Sequence, residues 1–205
     1  MGVNRAMKEA ESWVLASHNQ GKIKEIGELL SPFGIKLQSA ADFSLSEPDE
    51  TESTFTGNAL LKARAASQAT GLPALADDSG LCVTALNGQP GIHSARWAGE
   101  PRDFGRAMRR IEDELQASGN TDRSAAFVCV LALVVPGQSD RIYEGRVGGQ
   151  MVWPPRGEGG FGYDPVFRPE GEARVFAEMS SAEKASMSHR ARAMSALIAA
   201  EFGHV

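Results

Sequence analysis

The chain has 205 residues and a mass of 21.9 kDa. That length favours one domain and buries a core without disulfide or metal staples. Apolar residues make up 42% and charged residues 23%, ordinary globular usage that excludes a disordered or fibrous chain. The net charge of −5 and the pI near 5.4 argue against gripping polymeric nucleic acid, while one anionic small molecule still fits a local cationic pocket.

Residues 1–12 read as a polar lead-in, with charges where a signal peptide needs its apolar segment. Trp13-Val14-Leu15-Ala16 reads as a short buried strand and Ser17 to Gly21 as a loop of turn formers. From Lys22 the apolar positions Ile23, Ile26 and Leu30 recur at helical spacing, and Pro32 and Gly34 stop the helix. Ile35 to Leu37 restarts a strand, which completes a βαβ unit. Residues 42–54 are an acidic loop or lid. Asn58 to Thr70 is a helix ending at Gly71.

Pro73 to Ala76 enters a strand that Asp77-Asp78-Ser79-Gly80 interrupts and Leu81 to Leu86 continues; Asn87 to Gly91 is a turn. Phe104, Met108, Ile111 and Leu115 mark one face of a helix. Arg102, Arg106 and Arg109 then fall on its solvated side. Arg123 to Val135 is the longest predicted strand, with Arg141 to Val147 as its hairpin partner. Residues 148–162 hold six glycines, so a long functional loop is expected there. Ser180-Ser181-Ala182-Glu183 is a capping box that opens a terminal helical region reaching Phe202. Interleaved helices and strands make the class α/β.

The longest apolar run, Ala125 to Val135, falls short of the roughly 18 residues a membrane span needs. Cys82 and Cys129 both sit in apolar runs and read as reduced, buried thiols. Together these point to a cytoplasmic protein with no membrane partner.

Two motifs fail on inspection. Gly21-Lys22 lacks both the upstream glycine and the following Ser or Thr of a phosphate-binding P-loop. Gly157 to Gly162 matches G-x-G-x-x-G, but Pro154-Pro155 precedes it and Asp164-Pro165 follows it, so the strand-turn-helix setting of a dinucleotide site is missing.

Four constellations remain. Ser17-His18-Asn19-Gln20-Gly21-Lys22 joins a strand to a helix N-terminus, where backbone N–H groups and a lysine suit phosphate; an ordinary capped turn is the plainer reading. Asp77-Asp78-Ser79-Gly80 sets two carboxylates between apolar runs, costly unless they hold a cation or donors. In a strand they would point to opposite faces, one serving chemistry and one structure; an acidic turn is the alternative. Gly159 to Pro165 lets backbone approach a ligand, with Phe161 or Tyr163 free to stack on a flat ring. Lys184, His189 and Arg190 point in three directions on one straight helix. They share a pocket only if the helix breaks between them, with Ser186 or Ser188 as a new N-cap.

In this order, VLASHNQGKIKEI, TFTGNALLKARAA, LPALADDSGLCVTALNGQPGIHSARWAGE, GGFGYDPVF and EMSSAEKASMSHRARA resemble the non-canonical purine nucleoside triphosphate pyrophosphatases, also called inosine/xanthosine triphosphate pyrophosphohydrolases. The resemblance covers about Val14 to Leu197. It implies a long mixed sheet with flanking helices, two lobes around a nucleotide-binding cleft, and residues 13–205 as a single two-lobed catalytic domain. It also implies a homodimer that uses Mg2+ to hydrolyse ITP, dITP and XTP to the monophosphate and pyrophosphate.

By the same resemblance the phosphate-binding loop is Ser17 to Lys22, and the proton acceptor is Asp78 with Ser79 on the substrate. The nucleotide contacts are Phe161, Gly162, Tyr163 and Asp164, followed by Lys184, His189 and Arg190. The metal falls on Asp78 and Glu50, with Asp49 and Glu52 close in sequence. Gly57 departs from the many relatives that carry glutamate there. A pyrophosphatase for other modified nucleotides, or a nucleotide sensor that does not hydrolyse, are the rival readings.

Overall fold

The computed structural model describes residues 12–18 and 20–203. Strands β1 (Ser12–Leu15), β2 (Lys36–Ser39), β3 (Ala74–Val83), β4 (Ser124–Val134), β5 (Arg141–Met151) and β6 (Phe167–Pro169) form one sheet in the order β2-β1-β3-β4-β5-β6. β1 runs parallel to β2 and β3, while β5 and β6 are antiparallel. The sheet is therefore mixed, as expected. The helices are α1 (Gln20–Leu30), α2 (Phe55–Thr70), α3 (Ser94–Trp97), α4 (Phe104–Ser118), α5 (Ser181–Met187) and α6 (His189–Phe202). No described helix is long and apolar enough to cross a membrane.

The chain forms two compact units. The first comprises the described residues of Met1–Asp78, Val130–Glu144 and Ala193–Val205. Its β1–α1–β2 segment is the predicted βαβ unit, with Leu15 paired to Ser39 on one side and to Leu75 on the other. Trp13, Leu15, Ile26, Leu30, Leu75 and Leu131 are fully buried in it. Phe202 stacks on Phe33 at 4.5 Å and on Trp13 at 6.1 Å between ring centroids, pinning the end of α6 to this core. Helix α2 starts earlier than its apolar spacing suggests, because Thr54 caps it through the Gly57 N–H, and Gly71 closes it at φ 70°.

The second unit comprises Ser79–Cys129 and Gly145–Arg192. Its core gathers Leu81, Met108, Ile111, Leu115, Phe127, Phe167 and Phe176. The predicted face of α4 supplies three of these. Opposite that face Arg102, Arg106 and Arg109 are all exposed, as expected, and the Arg106 guanidinium donates to the Ala98 carbonyl.

Three expectations change. Asp77 to Gly80 do not interrupt β3, which runs unbroken from Ala74 to Val83 and then gives way to a 3-10 turn at Thr84–Leu86 where extended chain was expected; paired charges continue a strand when ammonium partners meet them. The glycine-rich loop is shorter than predicted, since β5 continues to Met151. Gly149 faces the Arg168 carbonyl and the Phe167 ring where a Cβ would collide, so glycine here serves close strand approach. β6 was not expected at all, because three residues ending in proline carry no periodic signal.

Candidate active site

In the first unit the two aspartates lie on opposite faces of β3, and each meets a lysine from a different helix. Lys22, in the first turn of α1, places its Nζ 2.8 and 2.6 Å from the two Asp77 oxygens. The Asp77 side chain is only 2% exposed. On the other face Lys62 of α2 stands 3.5 Å from Asp78 Oδ1 and donates at 3.0 Å to Glu50 Oε1. Three carboxylates thus meet two ammoniums.

That imbalance shows in the proton affinities. Burial pushes the Asp78 carboxyl above the ordinary aspartate value, the Lys62 charge pulls against it, and Glu50 and Asp77 add to the rise. Burial works to lower Lys62, but Asp78, Glu50 and Asp77 outweigh it and hold the ammonium above its ordinary value. In an isolated ion pair the acid would fall as the base rises. Here burial outweighs the pull of the shared lysine, so Asp78 holds a proton more tightly than an ordinary aspartate. Its Oδ2 is buried and makes no well-formed hydrogen bond among the described residues, although the nearby Asn58 amide works to lower the acid.

Lys62 is the residue sequence reasoning missed. A signal was present: Asn58 and Lys62 are one helical turn apart on a stripe with Ala59, Ala63 and Ala66, and all five are buried. A lysine on an apolar stripe needs a buried acid.

Of the predicted phosphate loop, Ser17 is buried. The His18 ring donates from Nε2 to the Leu45 carbonyl at 2.9 Å, tying down the 44–54 segment. Asn19 lies outside the described residues. Gln20 and Gly21 open α1, whose N-terminus follows β1 directly, as an anion site requires.

The second unit holds the remaining predicted residues. Ser79 is half-buried on β3. Asp164 accepts from the Phe161 N–H at 2.8 Å and from the Lys184 ammonium, and is 2% exposed. Gly160, at φ 72°, leaves room for that carboxylate where a Cβ would strike it. Lys184 lies 4.1 Å from the centre of the Phe161 ring. Phe161 itself is 64% exposed, whereas Tyr163 is buried and donates its OH to the Ser94 carbonyl at 2.7 Å. Of the two aromatics, Phe161 is the one presented for stacking and Tyr163 is the anchor. Gly162 takes the left-handed turn between them at φ 66°.

The predicted break in the terminal helix is present. α5 ends at Met187, Ser188 is extended at φ −66°, ψ 156°, and its hydroxyl accepts from the Ala191 N–H at 3.1 Å. His189 and Arg190 therefore open α6, both buried. The His189 ring stacks on Phe127 at 4.9 Å with 12° between planes. Cys129 is buried as expected, Cys82 is only half-buried, and neither forms a disulfide.

Residues 13–200 match the model of the Ham1 family. The chain belongs to the Ham1 family. A dITP/XTP pyrophosphatase of Gluconobacter oxydans is 53% identical over 194 residues, covering 95% of this chain and 92% of the relative. One of Caulobacter vibrioides is 55% identical over 189 residues, covering 92% and 97%. Among solved structures, a HAM1 protein from Coxiella burnetii superposes with a TM-score of 0.88 at 42% identity, covering 91% of this chain and 95% of that one. The Staphylococcus aureus Ham1 protein gives 0.86 at 38% identity, covering 92% and 96%. The α/β class and the mixed six-stranded sheet are those of Ham1 structures.

Proposed function

We propose that this Ham1 protein hydrolyses ITP, dITP and XTP to the nucleoside monophosphate and pyrophosphate with Mg2+, removing deaminated purines from the nucleotide pool. The relatives named as dITP/XTP pyrophosphatases support the reaction class. The observation that carries the chemistry is Asp78: a buried carboxylate of raised proton affinity, with one oxygen that makes no well-formed hydrogen bond, beside Glu50.

The donor set suits a hard cation. Two neighbouring carboxylates suit Mg2+, which takes oxygen ligands and keeps several waters. Glu50 and Asp78 would hold the ion, and the chemistry it supplies there is acidification of a water and neutralisation of phosphate charge. Asp78 orients the water that attacks the α-phosphorus and accepts its proton. Lys22, the N-terminus of α1 and the Ser17 hydroxyl bear the growing charge of the leaving pyrophosphate. Asp77 holds the Lys22 ammonium in place for that task.

The base is read by second-unit groups. Phe161 offers a ring face, stiffened from its Lys184 side by the ammonium and from the backbone by Asp164. His189 and Arg190 donate to the 6-oxo oxygen of hypoxanthine or xanthine and leave the 6-amino group of adenine unmatched. A cytoplasmic homodimer belongs to the same reading, supported by the family resemblance; light scattering tests the dimer.

The deciding experiment is pyrophosphate release from ITP, XTP, dITP, GTP and ATP, with and without Mg2+. Preferential release from the first three with Mg2+ is expected. Binding of ITP with no pyrophosphate released would make the protein a sensor instead.

A further inference from the structure

Lys62 does more than neutralise buried acid. Its Nζ reaches Glu50 Oε1 at 3.0 Å and Asp78 Oδ1 at 3.5 Å, so one ammonium spans the two carboxylates read above as metal ligands. Its side chain is 9% exposed, as is that of Asp78. A divalent cation needs the same oxygens, and two cations do not share them closely: the repulsion between charges a few ångströms apart in partly buried surroundings is several-fold larger than in water. Asp78 Oδ2 stays buried without a well-formed hydrogen bond, so the lysine satisfies only part of the acid it guards. Lys62 also lines a cavity of about 250 Å3 shared with Ala16, Leu45 and Ala66, and Glu47 is the carboxylate in that lining that could receive a displaced ammonium.

We propose that Lys62 is a tethered cation that competes with the divalent metal for Glu50 and Asp78, so that metal alone binds weakly and must displace the ammonium to load. The inference rests on the placement of the metal at Glu50 and Asp78. It adds a positioning role for a residue outside the expected site. Lys62 keeps the two carboxylates together and neutralised, and it sets how much metal the protein holds without nucleotide.

The test counts free Mn2+ by electron paramagnetic resonance in titrations of nucleotide-free protein. Wild type should bind weakly. Lys62→Met, which keeps the stem and removes the charge, should bind at least about tenfold tighter, and adding Glu50→Gln should abolish that gain. Lys62→Arg should stay weak. Equal or weaker Mn2+ binding by Lys62→Met overturns the proposal, as does a gain that survives Glu50→Gln.

A second measurement needs no variant. Mapping of lysine acylation on wild type should show Lys62 more reactive with Mn2+ present, as the ammonium leaves its carboxylates; unchanged or reduced labelling overturns the proposal. Pyrophosphate release by wild type reports separately on the proposed function. If it is absent while Lys62→Met still tightens Mn2+, the hydrolase reading fails and the tethered cation stands.

Discussion

The two units build their candidate functional groups from different materials. In the first, the working groups are charges on regular structure: Asp77 and Asp78 on β3, Lys22 on α1, Lys62 on α2. In the second, the charges are largely spent on scaffolding. Asp164 and Lys184 clamp the 160–164 turn, Tyr163 is buried as an anchor, and a ring face and a helix start remain to meet a ligand. A charge that is both structure and chemistry cannot be removed without disturbing both. A scaffolded ring or helix start can be altered while the chemistry continues. Variants of the first region should therefore change turnover and stability, and variants of the second should change selectivity.

Asp78→Asn is the sharpest probe of the first region. It preserves shape, removes the base, and leaves Lys62 with Glu50 as a partner. Turnover of ITP should fall at least about a hundredfold, the scale of a lost general base, with circular dichroism and nucleotide affinity largely kept. Near-normal turnover would move the base elsewhere and erase the contrast between the regions.

Lys22→Ala comes next and should show the dual nature of the charges. Loss of the ammonium takes the Lys22 partner from a nearly buried Asp77 carboxylate, which destabilises by about 2 kcal/mol after allowance for the partial exposure of Lys22. It should also raise KM and lower kcat, because the missing charge faces one that grows in the transition state. Adding Asp77→Asn should restore most of the melting temperature and none of the kcat. If the double variant recovers activity as well, Lys22 acts only as a structural partner.

Much of this was legible in the residues, and the gaps have physical causes. The βαβ start, the α4 face and the capping box at Ser180 follow from periodicity and local hydrogen bonds, which a sequence carries directly. The break before His189 was legible because three side chains expected at one site, at 184, 189 and 190, contradict one straight helix. The continuity of β3 was not, since a pair of aspartates reads as a turn until Lys22 and Lys62 are known to meet it, and both contacts are distant in sequence. Lys62 stayed hidden for the same reason. The choice of Phe161 over Tyr163 as the presented ring depended on one hydrogen bond to Ser94, far along the chain.

Arg190→Ala tests the second region. It should lower the ITP-to-ATP ratio of kcat/KM by about tenfold, the scale of one mismatched donor, and slow ITP hydrolysis less than it erodes the preference. An unchanged ratio would place the 6-oxo contact on another group. A uniform loss for both substrates would mean that the second region, like the first, carries chemistry.

The smallest expected effect tests whether that selectivity depends on a helix cap. Ser188 separates α5 from α6, and its hydroxyl accepts the Ala191 N–H at the first turn of the new helix. Ser188→Ala removes that acceptor and should cost about 1 kcal/mol of stability, the ordinary price of an N-cap. Its extended backbone needs no special residue, so the break itself should persist. What should loosen is the register of His189 and Arg190, because an uncapped first turn frays. The stacked His189 ring on Phe127 resists that fraying. The expected result is a melting temperature lower by a few degrees, kcat for ITP within about twofold, and a drop in the ITP-to-ATP ratio smaller than that of Arg190→Ala. Ser188→Thr, which keeps the acceptor, should restore the ratio. If Ser188→Ala lowers stability and leaves the ratio untouched, ring stacking rather than the cap aims the two donors, and Phe127→Leu becomes the variant that should erode selectivity.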